Sequence, residues 1–121
     1  MTPHYRALLL IVLAVSAQQA VATTEFTSIK PLLLQAIDAP DGRAEGIVVG
    51  PIALHWKAST KSTAPLLVEV TTLKRFRQEG CRRLNVRFKQ ENVASKEGKQ
   101  TEFAMDYGIN VCRDGSPPFE D

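Results

Sequence analysis

The clearest pattern in the chain is alternation. Leu84, Val86 and Phe88 alternate with Asn85, Arg87 and Lys89; further on, Phe103, Met105, Tyr107, Ile109 and Val111 alternate with Ala104, Asp106, Gly108 and Asn110. A period of two with one apolar face is the signature of a strand that lays one side on a core. Folding the two runs as a hairpin with Cys81 opposite Cys112 sets Leu84 against Ile109, Val86 against Tyr107, Phe88 against Met105 and Arg87 against Asp106. Apolar meets apolar, one charge meets its opposite, and a slip of one residue would destroy the match. The pattern therefore predicts strands near 82–90 and 101–112, a turn near 96–98, and a Cys81–Cys112 disulfide closing the open end. This register assigns both cysteines to the polar face, so the bond is expected to be a surface clamp rather than a core staple.

Two earlier strands are expected near 47–56 and 66–76. IVVGPIALHW is rich in branched residues, and its Gly50-Pro51 marks an edge strand or a strand broken by a bulge. KASTKSTAP reads as a polar loop, and Gln78-Glu79-Gly80 as the turn between LLVEVTTLKRF and CRRLNVRFKQ. Ala39-Pro40-Asp41-Gly42 has the chemistry of a turn. Residues 29–37 are ambiguous. Ser28 could cap a helix with Pro31 in its first turn and Leu32, Leu33, Leu34 and Ile37 on its apolar side, or the same run could be an extra strand. The predicted fold class is mainly β: a small antiparallel sheet of about four strands, meander-like, with one disulfide. If 29–37 is a helix packed on the sheet, the domain is α+β.

The first 22 residues differ in kind. His4 and Arg6 precede the uncharged ALLLIVLAVSA, and small residues follow at Ala20 and Ala22. This is the layout of a secretory signal peptide, with cleavage expected after Ala22 and Val15-Ser16-Ala17 as the other site. The run is too short for a membrane span, since Gln18 and Gln19 interrupt it. The expected organisation is a signal peptide at 1–22, one β-rich domain at 23–112 and an exposed tail at 113–121. No transmembrane span remains after cleavage. Export places the two cysteines in an oxidising compartment, periplasmic or extracellular, where pairing is the default.

Charge adds a location. The 15 Lys and Arg nearly balance the 13 Asp and Glu, so the chain is no generic polycation. Between 74 and 89, however, Lys74, Arg75, Arg77, Arg82, Arg83, Arg87 and Lys89 face only Glu79. If the Glu79-Gly80 turn pairs the flanking strands, Arg75 and Arg77 share a face with Arg83 and Arg87. Such a cluster can seat carboxylate or phosphate through bidentate contacts. The plain alternative is a solvated face whose charges pair with Glu69, Asp106 or Glu102 and blunt the sheet edge. A specific nucleic-acid partner is not expected, because no aromatic residue interleaves with the basic face. Trp56, the single tryptophan, is a core residue or an interface anchor.

Catalytic constellations are sparse. Cysteines 31 positions apart lack the spacing of a catalytic dithiol, and two cysteines with His55 lack that of a zinc site. No nucleophile elbow or glycine-rich phosphate loop occurs. No metal or cofactor is expected. The function these features point to is that of a small exported, non-catalytic binding or accessory protein. It would touch an acidic protein surface or an envelope polyanion through Arg75, Arg77, Arg82, Arg83, Arg87, Lys89 and Trp56; a subunit of an envelope-spanning secretion or transfer assembly fits. The alternatives are a small periplasmic enzyme, hydrolytic or thiol-redox, using His55 or the cysteines, and a purely structural module.

Overall fold

The computed structural model describes residues 24–119; the expected leader and its cleavage sites lie outside them. The elements run β1 (Glu25–Phe26), α1 (Lys30–Asp38), β2 (Arg43–Val48), α2 (Pro51–Thr60), β3 (Leu66–Arg75), β4 (Cys81–Ala94) and β5 (Gln100–Cys112). They form one five-stranded sheet in chain order, β1-β2-β3-β4-β5. The fold is mainly β, and β2 to β5 form the expected antiparallel meander. The sheet is nonetheless mixed, because the short β1 pairs with β2 in parallel. A parallel pair needs a crossover, and α1 supplies it.

The 29–37 ambiguity resolves as helix. Pro31 sits in the first turn, but Ile29 occupies the cap position and no side chain caps the helix, so the role expected of Ser28 is not taken. Leu32, Leu33, Ala36 and Ile37 are buried against Val48, Leu66, Val68, Val70, Leu84, Val86, Phe88 and Val111, and these form the core. Burial of each such aliphatic side chain contributes roughly 1.5–3 kcal/mol before entropy is counted.

The expected strand at 47–56 is corrected. β2 ends at Val48, Gly50 turns the chain at φ +83°, and Pro51 opens α2. Proline is preset for a first helical turn and glycine accepts the positive φ before it, so this dipeptide starts a helix rather than bulging a strand. Ile52, Trp56 and Thr60, four residues apart, are half-buried along α2 together with Ala53. The helix also takes in the first four residues of the expected polar loop, Lys57 to Thr60.

The hairpin register holds as predicted from Cys81↔Cys112 through Gln90↔Phe103. Beyond it a bulge shifts the pairing to Val93↔Thr101, with Asn92 at φ 58°, and 95–99 form the turn. The disulfide is present, but the surface clamp is corrected: Cys81 is 2% and Cys112 5% exposed. Backbone turns close around it. Cys81 N donates to Gln78 O, Arg113 N to Gly80 O, and Cys112 N to Ser116 O. The tail beyond is largely exposed yet fastened, with Phe119 N donating to the Gln78 side chain.

Candidate functional site

The basic residues divide into two groups, and a bulge decides the division. β3 pairs with β4 from Leu67↔Lys89 to Thr72↔Leu84, then slips at Leu73, so that Lys74 faces Arg83 and Arg75 faces Arg82. An extra residue reverses the side on which every later side chain emerges. Arg75 therefore lies with Arg82 on the helix-covered side of the sheet, not beside Arg83 and Arg87 as alternation alone predicted. Arg77 follows in the turn and is exposed.

Arg82 is the centre of the first group. It is half-buried, and a Cβ on Gly42 would stand 3.8 Å from its Nη1, so the guanidinium reaches the 39–42 turn. Nη1 is buried and has no hydrogen-bond partner among the described residues. Burial lowers the Arg82 pKa first, and the neighbouring charges of Arg75 and Arg113 lower it further, while Asp38 raises it. Arg113 was assigned to the tail by sequence, yet the turn after β5 brings it here, where its Nε donates to Asp38 Oδ1 at 2.8 Å. No sequence signal short of the hairpin register could have placed it, since Arg113 and Asp38 are 75 residues apart. Arg75, Arg77, Glu79 and Arg82 line a hollow of about 290 Å³ beside Gly80 and Cys81. Three guanidinium groups, of Arg75, Arg77 and Arg82, thus line the hollow with one carboxylate, Glu79, an arrangement suited to an incoming bidentate anion.

In the second group, on the open face of the sheet, Arg87 and Lys89 are already neutralised. Arg87 makes the expected pair with Asp106, Nε to Oδ1 at 2.9 Å and Nη2 to Oδ2 at 3.0 Å, and Asn85 adds a third bond at 2.8 Å. These bonds hold the Asp106 carboxyl below the usual carboxylate range and raise the Arg87 pKa. Lys89 pairs with Glu69 at 3.3 Å. Arg83 is exposed, lies over Gly108 and reaches Asn110 Oδ1 at 3.5 Å.

Trp56 belongs to neither group. It projects from α2 onto Phe88 and Phe103, with ring centroids at 5.4 and 5.8 Å. With His55, Ser59, Val93, Phe103 and Met105 it lines an open groove of about 560 Å³. Phe103 and Met105 were expected in the core, but they are 43% and 45% exposed, because α1 packs mainly over β2 to β4. The Ser59 hydroxyl donates to the His55 carbonyl oxygen rather than to its ring, and the cysteines are bonded to each other. No cluster of three or more His, Cys, Asp or Glu among the described residues could hold a metal ion.

Fold and site together define a small mainly-β sheet protein, helix-covered on one face, with a disulfide-bonded end rich in arginine. Compared with known proteins, the chain has no significant match to any family model, curated protein or solved structure.

Proposed function

We propose that this is an exported, non-catalytic binding protein that seats carboxylates of an acidic protein surface in the guanidinium cluster at the disulfide end of its sheet. The observation that carries this reading is Arg82: a half-buried cation with an unpartnered buried Nη1, facing Arg75 across the strands. Like charges directly opposite one another destabilise a sheet, and an anion between them removes the repulsion while satisfying the nitrogen. Arg77 and Arg113 extend the cluster; Arg87 and Lys89 fall outside it because Asp106 and Glu69 already occupy them. The buried disulfide accords with an oxidising compartment, and no helix among the described residues is long and apolar enough to cross a membrane. An accessory role in an envelope-spanning assembly is the setting that suits such a surface.

The test uses the oxidised chain from Thr23 onward, immobilised and exposed to envelope extract, beside an Arg75→Glu/Arg77→Glu variant whose fold is checked by circular dichroism. Both positions are exposed, so the fold should survive. The expected result is an acidic protein retained by wild type, released by salt and lost in the variant. Equal retention by both would remove the proposal, and capture of an anionic glycan or lipid alone would reassign the partner.

A further inference from the structure

β5 is the last strand of the sheet, and its outer edge is open. Hydrogen bonds at its two ends show which backbone groups face outward. Arg113 N donates inward to Gly80 O, and Ser95 N donates to Lys99 O across the hairpin turn. Odd-numbered residues therefore bond toward β4, and alternation turns the N–H and C=O groups of Gln100, Glu102, Ala104, Asp106, Gly108 and Asn110 outward. Among the described residues the edge is closed only at Cys112, whose N–H donates to Ser116 O of the tail. The free stretch is thus 100–110, with Met105 at its midpoint. Along its helix-covered side runs the bare apolar strip of Phe103 and Met105, continued by the half-buried Tyr107 and Ile109. A long open edge beside exposed apolar side chains is a template for another strand.

From these features we propose that two copies of this chain pair antiparallel through β5, about a two-fold axis at Met105. Strand chemistry selects the occupant and the register together. Centring the axis on Asp106 would set that carboxylate against its own copy, and like charges directly opposite are unfavourable. Centring it on Tyr107 would drive the second strand into the turn that closes Cys112. Centring it on Met105 uses the whole free stretch. It sets Met105 against Met105 and Phe103 against Tyr107 on the helix-covered side, and Ala104 against Asp106 and Glu102 against Gly108 on the other.

The last pair supplies the charge match. Gly108 has no side chain, and the Arg83 guanidinium lies over it, so that a Cβ there would meet Nη2 at 3.2 Å. Glu102 of each copy, arriving opposite Gly108, lands beside Arg83 of the other. Within one copy Glu102 lies close to a second acid, Glu91, whose pKa it raises, as well as to Lys89 and Arg87. Association adds Arg83 of the other copy beside each Glu102, on both sides of the axis. This surface is separate from the Arg75–Arg82 hollow, so neither reading depends on the other.

Sedimentation of the oxidised chain from Thr23 onward tests the pairing, with a concentration series reaching on the order of 100 μM. A concentration-dependent dimer is expected. Glu102→Arg or Arg83→Glu alone should weaken it about tenfold, and the two together should restore it. Met105→Cys fixes the register. In the paired form the two positions face each other in a non-hydrogen-bonded site with Cα atoms about 4.5 Å apart. Oxidation should then link two chains, whereas Phe103→Cys, about 13 Å from its copy along the strands, should not link. A chain that stays monomeric across the series overturns the proposal. So does a dimer in which Met105→Cys links no faster than Phe103→Cys, or in which the double charge swap fails to recover what each single swap loses.

Discussion

At the scale of single residues, the Arg87–Asp106 pair was legible in the sequence, because one register aligned three apolar pairs and this charge pair at once. Its consequence is a titration. Hydrogen bonds from Arg87 and Asn85 favour the ionised carboxylate, so the folded pKa of Asp106 lies below its unfolded value. A carboxyl lowered in this way contributes stability that is fully present above the unfolded carboxylate range and is lost as pH falls through the lower folded value. Side-chain NMR should find Asp106 titrating below ordinary aspartates, and Arg87→Ala should return it toward them. An unmoved titration would mean that the pair does not persist in solution. Arg75 was misplaced for an equally local reason: the bulge at Leu73 reverses the face of the sheet, and Thr72-Leu73-Lys74 carries no glycine or proline to mark it.

Among the elements, α2 was the one least readable from sequence. Val48 and Val49 favour a strand, and IALHW carries enough apolar residues to extend it, so the start signal in Gly50-Pro51 was outweighed. The helix buries no residue fully. It is held by the Trp56 stack and by a polar hook at its end. Thr60 Oγ1 donates to Gln90 Oε1 at 2.7 Å, Gln90 Nε2 donates to Ala64 O at 3.0 Å, and Ser62 Oγ donates to Glu91 O at 2.6 Å. Gln90 and Ser62 are both buried, although the sequence analysis left them as the last residue of a strand and a serine in a polar loop. Gln90→Leu leaves a buried carbonyl without its donor and should cost about 1–3 kcal/mol. Urea unfolding followed by the fluorescence of Trp56, the single tryptophan, reads that loss where α2 meets the sheet. A variant as stable as wild type would show that the hook positions the helix without holding it.

For the molecule as a whole, the mainly-β class, the meander and the disulfide pairing followed from alternation. The covering of the disulfide did not, because it depends on two turns that meet only in three dimensions. Closing a 31-residue separation should stabilise the chain by about 3–4 kcal/mol through the entropy of the unfolded state. A Cys81→Ala/Cys112→Ala chain should therefore unfold at markedly lower urea, and an unchanged midpoint would assign the bond no role in stability. The arginine cluster was legible as a run of charge but not as a site. Which cations remain unpaired is settled by Asp106, Glu69 and Asp38, each distant in sequence from its partner.

The order of strands in the sheet is also their order in the chain. If the chain is exported N-terminus first, as proposed, each strand can therefore be laid down on the one before it. The growing margin passes from β2 to β3 to β4, and β4 waits there until β5 emerges. During that wait Arg82, Arg83, Arg87 and Lys89 line the unfinished margin, and clustered positive charge deters an exposed strand from pairing with a neighbouring chain. The same cations that end in ion pairs or at the hollow would then act first as guards against aggregation in transit.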